Sequence, residues 1–286
     1  MKTLLLFNLT IFMIFFMSKQ SFSQIQKINK KNDFSEIPMH IDLDSILNIP
    51  DTGIILTIGQ SNAANYGQGS YDTKFISYEL IGENIVVAKD PLSGADGVGV
   101  SVWTRLTDRL IEKQIFKNVI IIPIAIGSTE ISCWSKGECN KKLTGVLSKI
   151  DKLKLKVNYI IWHQGESDNL ANTSLKEYKN NLTLIKRQID ESIGNTPIIV
   201  SIASYHPAMI GLKEFGTDEV IRKAQTSFIM ENNNTIKGPD TDLYDKIYYR
   251  HDGVHFSKLG LDVFADDLFE IIMKSEKRIR QNSSFK

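Results

Sequence analysis

Cysteine is scarce in this chain. Among 286 residues only Cys133 and Cys139 carry sulfur that can pair or bind metal, both within ISCWSKGECNKK. Without a C-x-x-C pair or a Cys/His cluster, the sequence offers no zinc site. An excess of one charge is also missing. Lys and Arg number 34 against 33 Asp and Glu, for a formal net charge of +1, and the basic residues are scattered. Bulk electrostatics therefore give no reason to expect nucleic acid or an acidic partner. No internal repeat, low-complexity tract or linker splits the body of the chain. DGVGV has a Gly-x-Gly look but no G-x-G-x-x-G spacing, which excludes a dinucleotide fingerprint. What is present is ordinary globular composition, 42% hydrophobic and 23% charged, enough for one domain of about 250 residues or two small ones.

The N-terminal MKTLLLFNLTIFMIFFMSKQSFSQ has Lys2, an apolar stretch from Thr3 to Met17, and small residues Ser21 and Ser23 at the −3 and −1 positions of a cleavage site. That pattern is expected of a signal peptide, residues 1–23, removed after Ser23. The mature protein is then secreted or periplasmic, with no integral membrane segment. The apolar stretch is short for a spanning helix, although an uncleaved anchor is the alternative. No cysteine lies near the cleavage point, so a lipoprotein anchor is not expected. In an exported chain Cys133 and Cys139 can close a small disulfide loop; two unrelated thiols are the other reading.

Residues 24–51 read as a polar lead-in, and residues 52–286 as the domain. GIILTIG, NIVVAKD, VIIIPIAIG, VNYIIWHQGESD and PIIVSIAS read as strands or strands running into loops. Between and after them lie helical segments: residues 101–116, the LTGVLSKIDKLKL stretch, residues 174–194, TDEVIRKAQTSFIMEN and KLGLDVFADDLFEIIMKSEK. Thr217 or Asp218 is the expected cap of the fourth helix, and Gly194 the stop of the third. Strands without polar alternation, separated by helices, imply a parallel sheet covered on both faces. The expected fold is a three-layer α/β/α sandwich with about five parallel strands.

Ligands of such sheets sit at the carboxyl ends of the strands. Small and polar residues gather there. The first strand runs into GQSN, the third into AIGSTE, the fourth into WHQGESD, and YRHDGVHFS follows far downstream. Serine chemistry needs a hydroxyl, a base, a carboxylate to orient the base, and donors for the oxyanion. Ser61 is the candidate nucleophile and His255 the base. Asp252 is the orienting carboxylate, because residues three apart on a turn share a side. The Ser61 and Gly127 N–H groups and the Gln164 side-chain amide are candidate oxyanion donors. Gly127 has no Cβ to keep a substrate away. An α/β-hydrolase elbow would be G-x-S-x-G, but Ala63 stands at the second glycine.

GQSN, IPIAIGST, WHQGESD and DGVHFS, in this order and each at a strand end, resemble the blocks of the SGNH/GDSL hydrolases. The closest resemblance is to the sialate O-acetylesterase-like and acetylxylan esterase-like branch, carbohydrate esterase family six. DPLSGADGVGVSVW resembles that branch too. The resemblance implies a flavodoxin-like sandwich, a Ser61–His255–Asp252 triad, and an oxyanion hole of Ser61, Gly127 and Gln164. Gln60, Asn62 and Glu166 are supporting residues. Other SGNH branches carry Asn in the third block, so the Gln164 role rests on the branch match. The Cys133–Cys139 segment is outside the pattern.

The resemblance further implies removal of O-acetyl groups from carbohydrate through an acetyl-enzyme, with no metal or organic cofactor. The substrate partner is an acetylated glycan such as acetylxylan or an O-acetyl sialic acid. A lipid or aryl esterase, an acetyltransferase and a non-catalytic carbohydrate-binding protein remain alternatives. His251, directly before Asp252, is the rival base. His163 and His206 read as packed or hydrogen-bonded histidines. Glu166 and Asp168 read as ties between active-site loops rather than a glycosidase pair. Trp103 and Trp134 read as core or rim packing.

Overall fold

Two eight-residue strands, β1 (Thr52–Gly59) and β4 (Asn118–Ala125), form the centre of the sheet. They read as continuous apolar runs because both faces are covered. Ile54, Leu56, Ile58, Ile120, Ile122 and Ile124 point into one core, and Ile55, Val119, Ile121 and Ala125 into the other. The computed structural model describes residues 41–213 and 216–283, all within one compact unit. The expected signal peptide, its cleavage after Ser23 and most of the lead-in lie outside the described residues.

The other strands are β2 (Tyr78–Ile81), β3 (Asn84–Val87), β5 (Tyr159–His163), β6 (Ile198–Ile202) and β7 (Thr235–Asp240). The sheet order is β3-β2-β4-β1-β5-β6-β7. All pairings are parallel except β2 with β3. The helices are α1 (Leu43–Leu47), α2 (Trp103–Glu112), α3 (Ile131–Lys136), α4 (Glu138–Lys152), α5 (Glu166–Ala171), α6 (Leu175–Ile193), α7 (Glu219–Glu231) and α8 (Lys258–Ser283). Helices α3, α4, α6 and α7 cover one face, with Trp134, Leu147, Ile185 and Phe228 in its core. Helices α2 and α8 cover the other, with Trp103, Leu106, Phe264 and Leu268.

This is the expected three-layer sandwich, with seven strands rather than about five. The two unexpected strands lie toward the sheet's flanks. YELI is short, and TIKGPD is half-exposed and carries Gly238 and Pro239, so neither has the apolar signature of the centre. NIVV is a strand as expected, but a two-residue Gly82–Glu83 turn folds it back antiparallel to β2, with Ile81 opposite Asn84. The 24–51 segment is not all lead-in. Asp42 caps α1, whose Ile46 is buried in the core. Ser174 caps α6 by accepting from Glu177 N–H at 3.2 Å, Gly194 ends that helix, and Asp218 caps α7. Cys133 and Cys139 are disulfide-bonded, with Cα atoms 5.1 Å apart, and pin α3 to the start of α4.

One glycine decides how closely the strand ends gather. A Cβ on Gly59 would fall 2.0 Å from the His163 carbonyl oxygen, which is backbone and cannot rotate away. Gly59→Ala is therefore expected to destabilise the fold by about 3 kcal/mol or more. A lowered urea midpoint at unchanged m-value checks it; an unshifted midpoint contradicts the packing.

Candidate active site

The strand ends are aligned by main-chain bonds. Gln60 N–H donates to His163 O at 3.2 Å, and Ile126 N–H donates to Gly59 O at 3.0 Å. Ser61 thus leaves β1 between the ends of β4 and β5. It opens a single 3-10 turn, Ser61–Ala63, and is 6% exposed. Its two neighbours anchor that turn. Gln60 Oε1 accepts from Gln164 Nε2 at 3.2 Å and from Ser167 N–H at 3.2 Å, tying the turn to the loop after β5. Asn62 Nδ2 donates to Glu166 Oε1 at 2.9 Å and to Val254 O at 3.3 Å. Val254 lies between Asp252 and His255, so Ser61 is joined to the Asp/His loop through its neighbour Asn62.

Asp252 and His255 are in direct contact. Asp252 Oδ2 lies 2.7 Å from His255 Nδ1, while Oδ1 accepts from the N–H groups of Val254 (2.8 Å) and His255 (2.7 Å). Burial pushes this carboxyl up, but the bonds from His255 and Val254 outweigh it and hold it at about 2. A carboxylate on Nδ1 selects the tautomer whose Nε2 is a free acceptor, the form a general base needs. The Tyr66 ring stacks on His255 with centroids 5.0 Å apart. His251, the rival, turns elsewhere: its Nε2 lies 3.2 Å from Tyr66 O and 4.0 Å from Asp252 Oδ2.

The loop is held from below by Arg250, which is 1% exposed. Its guanidinium donates to Val254 O (2.5 Å), Tyr244 O (2.7 Å) and Thr241 O (3.0 Å). Burial lowers its pKa, opposed by the carboxylates of Glu166 and Asp242.

The three expected oxyanion donors are not equally placed. Gly127 N–H faces Asp96 Oδ2 at 3.2 Å, on the exposed side. A Cβ on Gly127 would meet the Tyr66 hydroxyl at 2.8 Å. Gln164 is turned inward. It has no exposed surface, and its Nε2 donates to Asp168 Oδ2 (2.5 Å), Thr129 O (2.9 Å) and Gln60 Oε1 (3.2 Å). Its Oε1 accepts from Tyr178 OH at 3.1 Å. In this structure the Gln164 amide is committed to these inward bonds rather than turned to the open face. Those buried acceptors hold it in place. Removing its amide takes one donor from the Asp168 carboxylate and the side-chain donor from the Thr129 carbonyl, so Gln164→Ala is expected to cost about 1–3 kcal/mol of stability as well as activity. Lost turnover at an unchanged denaturant midpoint would instead put the amide in the oxyanion hole.

The remaining candidates are interior except His206, which is partly exposed. His163 is fully buried, with Nε2 2.9 Å from Thr241 Oγ1, and burial lowers its pKa. His206 Nδ1 accepts from Ala208 N–H at 3.2 Å. Asp168 ties loops as expected: it accepts from Ile131 N–H at 2.8 Å and from Gln164, and burial pushes it up to about 6. Trp103 and Trp134 are both core residues, bonded to Ala63 O and Thr129 Oγ1 respectively. Tyr66, Asp96 and Arg250 were not singled out from sequence. Tyr66 stands inside the GQSNAANYG stretch, five residues past Ser61, and Asp96 inside DPLSGADGVGV. Arg250 begins the RHDGVH run, where only its burial marks it.

The model of the family described as carbohydrate esterase, sialic acid-specific acetylesterase, matches residues 51–273. No curated protein matches the sequence. Among solved structures, a protein from Arabidopsis thaliana is similar over 79% of this chain and 98% of its own, at 17% identity and TM-score 0.61. A carbohydrate acetylesterase from Xanthomonas citri is similar over 76% of this chain and 54% of its own (16% identity, TM-score 0.51). The acetylxylan esterase Axe2 from Geobacillus stearothermophilus is similar over 77% and 94% (12% identity, TM-score 0.51). At these identities the likeness to the solved structures is one of fold.

Proposed function

We propose a mechanism and a substrate class for this chain, which belongs to the carbohydrate esterase, sialic acid-specific acetylesterase family and is an ester-bond hydrolase on an SGNH-type fold. The protein is a secreted serine esterase that removes O-acetyl groups from carbohydrate. Ser61 is the nucleophile, His255 the base and Asp252 the residue that orients it. The observation that carries this reading is the 2.7 Å contact between Asp252 and His255 Nδ1, on a loop fastened to the nucleophile turn through Asn62 and Val254.

In the first half-reaction His255 Nε2 takes the Ser61 proton as Oγ attacks the acetyl carbonyl. Charge develops on the carbonyl oxygen, and the N–H groups of Ser61 and Gly127 stabilise it. Asp96 moves off the Gly127 N–H as the ester enters. His255 then gives its proton to the departing sugar hydroxyl, leaving acetyl-Ser61. Water attacks that ester with His255 again as base; His255 then returns the proton to Ser61 Oγ, and acetic acid leaves and ionises to acetate. Gln60, Asn62, Glu166 and Gln164 act by fixing the loops that hold these groups.

Secretion is supported by the N-terminal sequence pattern, and among the described residues no helix is long and apolar enough to cross a membrane. The test of substrate class is acetate release from a panel of acetylated xylo-oligosaccharides, O-acetyl sialic acids, aryl acetates and longer-chain acyl esters. The expected result is release from at least one acetylated carbohydrate with higher kcat/KM than from any long-chain ester. Preference for long acyl chains, with the sugars untouched, contradicts it.

A further inference from the structure

His251 has no part in the mechanism, yet it stands beside Asp252 and His255. Among the described residues these three side chains are the one group of His, Cys, Asp or Glu whose donor atoms converge, all within 4.8 Å of one another. Two imidazoles and a carboxylate are a borderline donor set that suits zinc far better than magnesium or calcium, which take oxygen. His251 Nε2 is 4.0 Å and His255 Nδ1 2.7 Å from Asp252 Oδ2. Ligand atoms of a tetrahedral zinc site, each about 2.0–2.2 Å from the ion, are separated by roughly 3.3 Å. The short spacing has to open and the long one to close, each by well under the reach of a side-chain rotation. His251 and Asp252 are both exposed; to reach the ion, His251 Nε2 gives up its 3.2 Å contact with Tyr66 O and Asp252 Oδ2 its bond to His255 Nδ1.

Asp252 is built to survive that change. Its Oδ1 is fixed by two backbone N–H groups, whereas Oδ2 has His255 Nδ1 as its hydrogen-bond partner. An ion inserted between Oδ2 and Nδ1 replaces the bridging proton and leaves the carboxylate anchored.

We infer that His251, Asp252 and His255 form a zinc-type cation site that switches the hydrolytic centre off. The consequence for activity rests on the reading of His255 as the base. When the ion bonds to Nδ1, the single proton of the neutral imidazole passes through solvent to Nε2. No proton is gained or lost by the ring and no redox step is involved. Nε2 becomes an N–H donor and cannot accept the Ser61 proton. Likewise His251 presents an unprotonated Nε2 to the ion and carries its proton on Nδ1. The ion thus captures the base, with His251 as the ligand that the catalytic pair lacks.

The test titrates zinc chloride into the full-length mature protein and its His251→Ala variant. Binding is followed by calorimetry and activity by aryl acetate hydrolysis, with magnesium chloride as control. The wild type is expected to bind one zinc ion per chain and to lose hydrolysis in step with occupancy, reversibly on addition of EDTA. Magnesium has no effect. Without metal His251→Ala hydrolyses at the wild-type rate, and it needs at least about tenfold more zinc for half-inhibition, the scale on which changes around a metal site weaken it. Identical zinc curves for the two proteins overturn the inference, as does absence of binding to the wild type at sub-millimolar zinc. Calorimetry reads the site even if no ester is turned over, so failure of the esterase reading and failure of the metal site are separate results.

Discussion

Ser61→Ala is expected to lose hydrolysis of an aryl acetate by a factor on the order of 10⁴ to 10⁶ while staying folded. The substitution removes one oxygen from a 3-10 turn whose anchors are Gln60 and Asn62, not Ser61. Stability should therefore change by less than about 1 kcal/mol. The chemistry, in contrast, has no second hydroxyl to use at the end of β1. Steady-state kinetics with circular dichroism on the same sample checks both halves. A folded variant with near-normal turnover would falsify the assignment.

The second large effect separates the base from its neighbours. His255→Ala is expected to cost as much as Ser61→Ala, because nucleophile and base act as a unit. His251→Ala should stay close to the wild-type rate. Asp252→Asn should lose about 10³- to 10⁴-fold. The Asn side chain keeps Oδ1 for the Val254 and His255 N–H groups, but it then turns an amide N–H toward His255 Nδ1. Two donors cannot face each other, so the ring presents Nδ1 as acceptor and carries its proton on Nε2, where Ser61 needs a base. Because Asp252 is depressed to about 2, it is charged over the whole range in which the protein is assayed. Its contribution to stability is present above the unfolded-state value, about 3.9, and is lost only as pH falls through about 2. Asp252 therefore does not set the acid limb of the rate. A dead His251→Ala beside an active His255→Ala would show that the base had been misplaced.

Much of this was legible in the sequence, for definite reasons. The central strands are buried on both faces, so their apolar runs stand out, and the small and polar residues that follow them are forced to the open edge. Helix ends such as the Asp218 cap and the Gly194 stop follow from local backbone chemistry. Flanking strands were less visible: Tyr78–Ile81 is four residues long and Thr235–Asp240 is half-exposed. The Asp252–His255 contact is local, three residues apart, and could be read directly. Gln164 shows the limit. Its position at a strand end was legible, but the direction of its amide depends not only on nearby Asp168 but on Thr129 and Tyr178, which come from other segments of the chain. Arg250 illustrates the same point, since a buried guanidinium bonded to three carbonyls looks no different in sequence from a surface one.

The most direct test of the central claim is peptide mapping of the protein after inactivation by a fluorophosphonate, a reagent that captures an activated serine as a stable ester. The expected result is one phosphonyl group per chain, on the peptide carrying Ser61, formed in proportion to lost activity and absent from His255→Ala. Full inactivation with the label on any other residue would contradict Ser61 as the nucleophile.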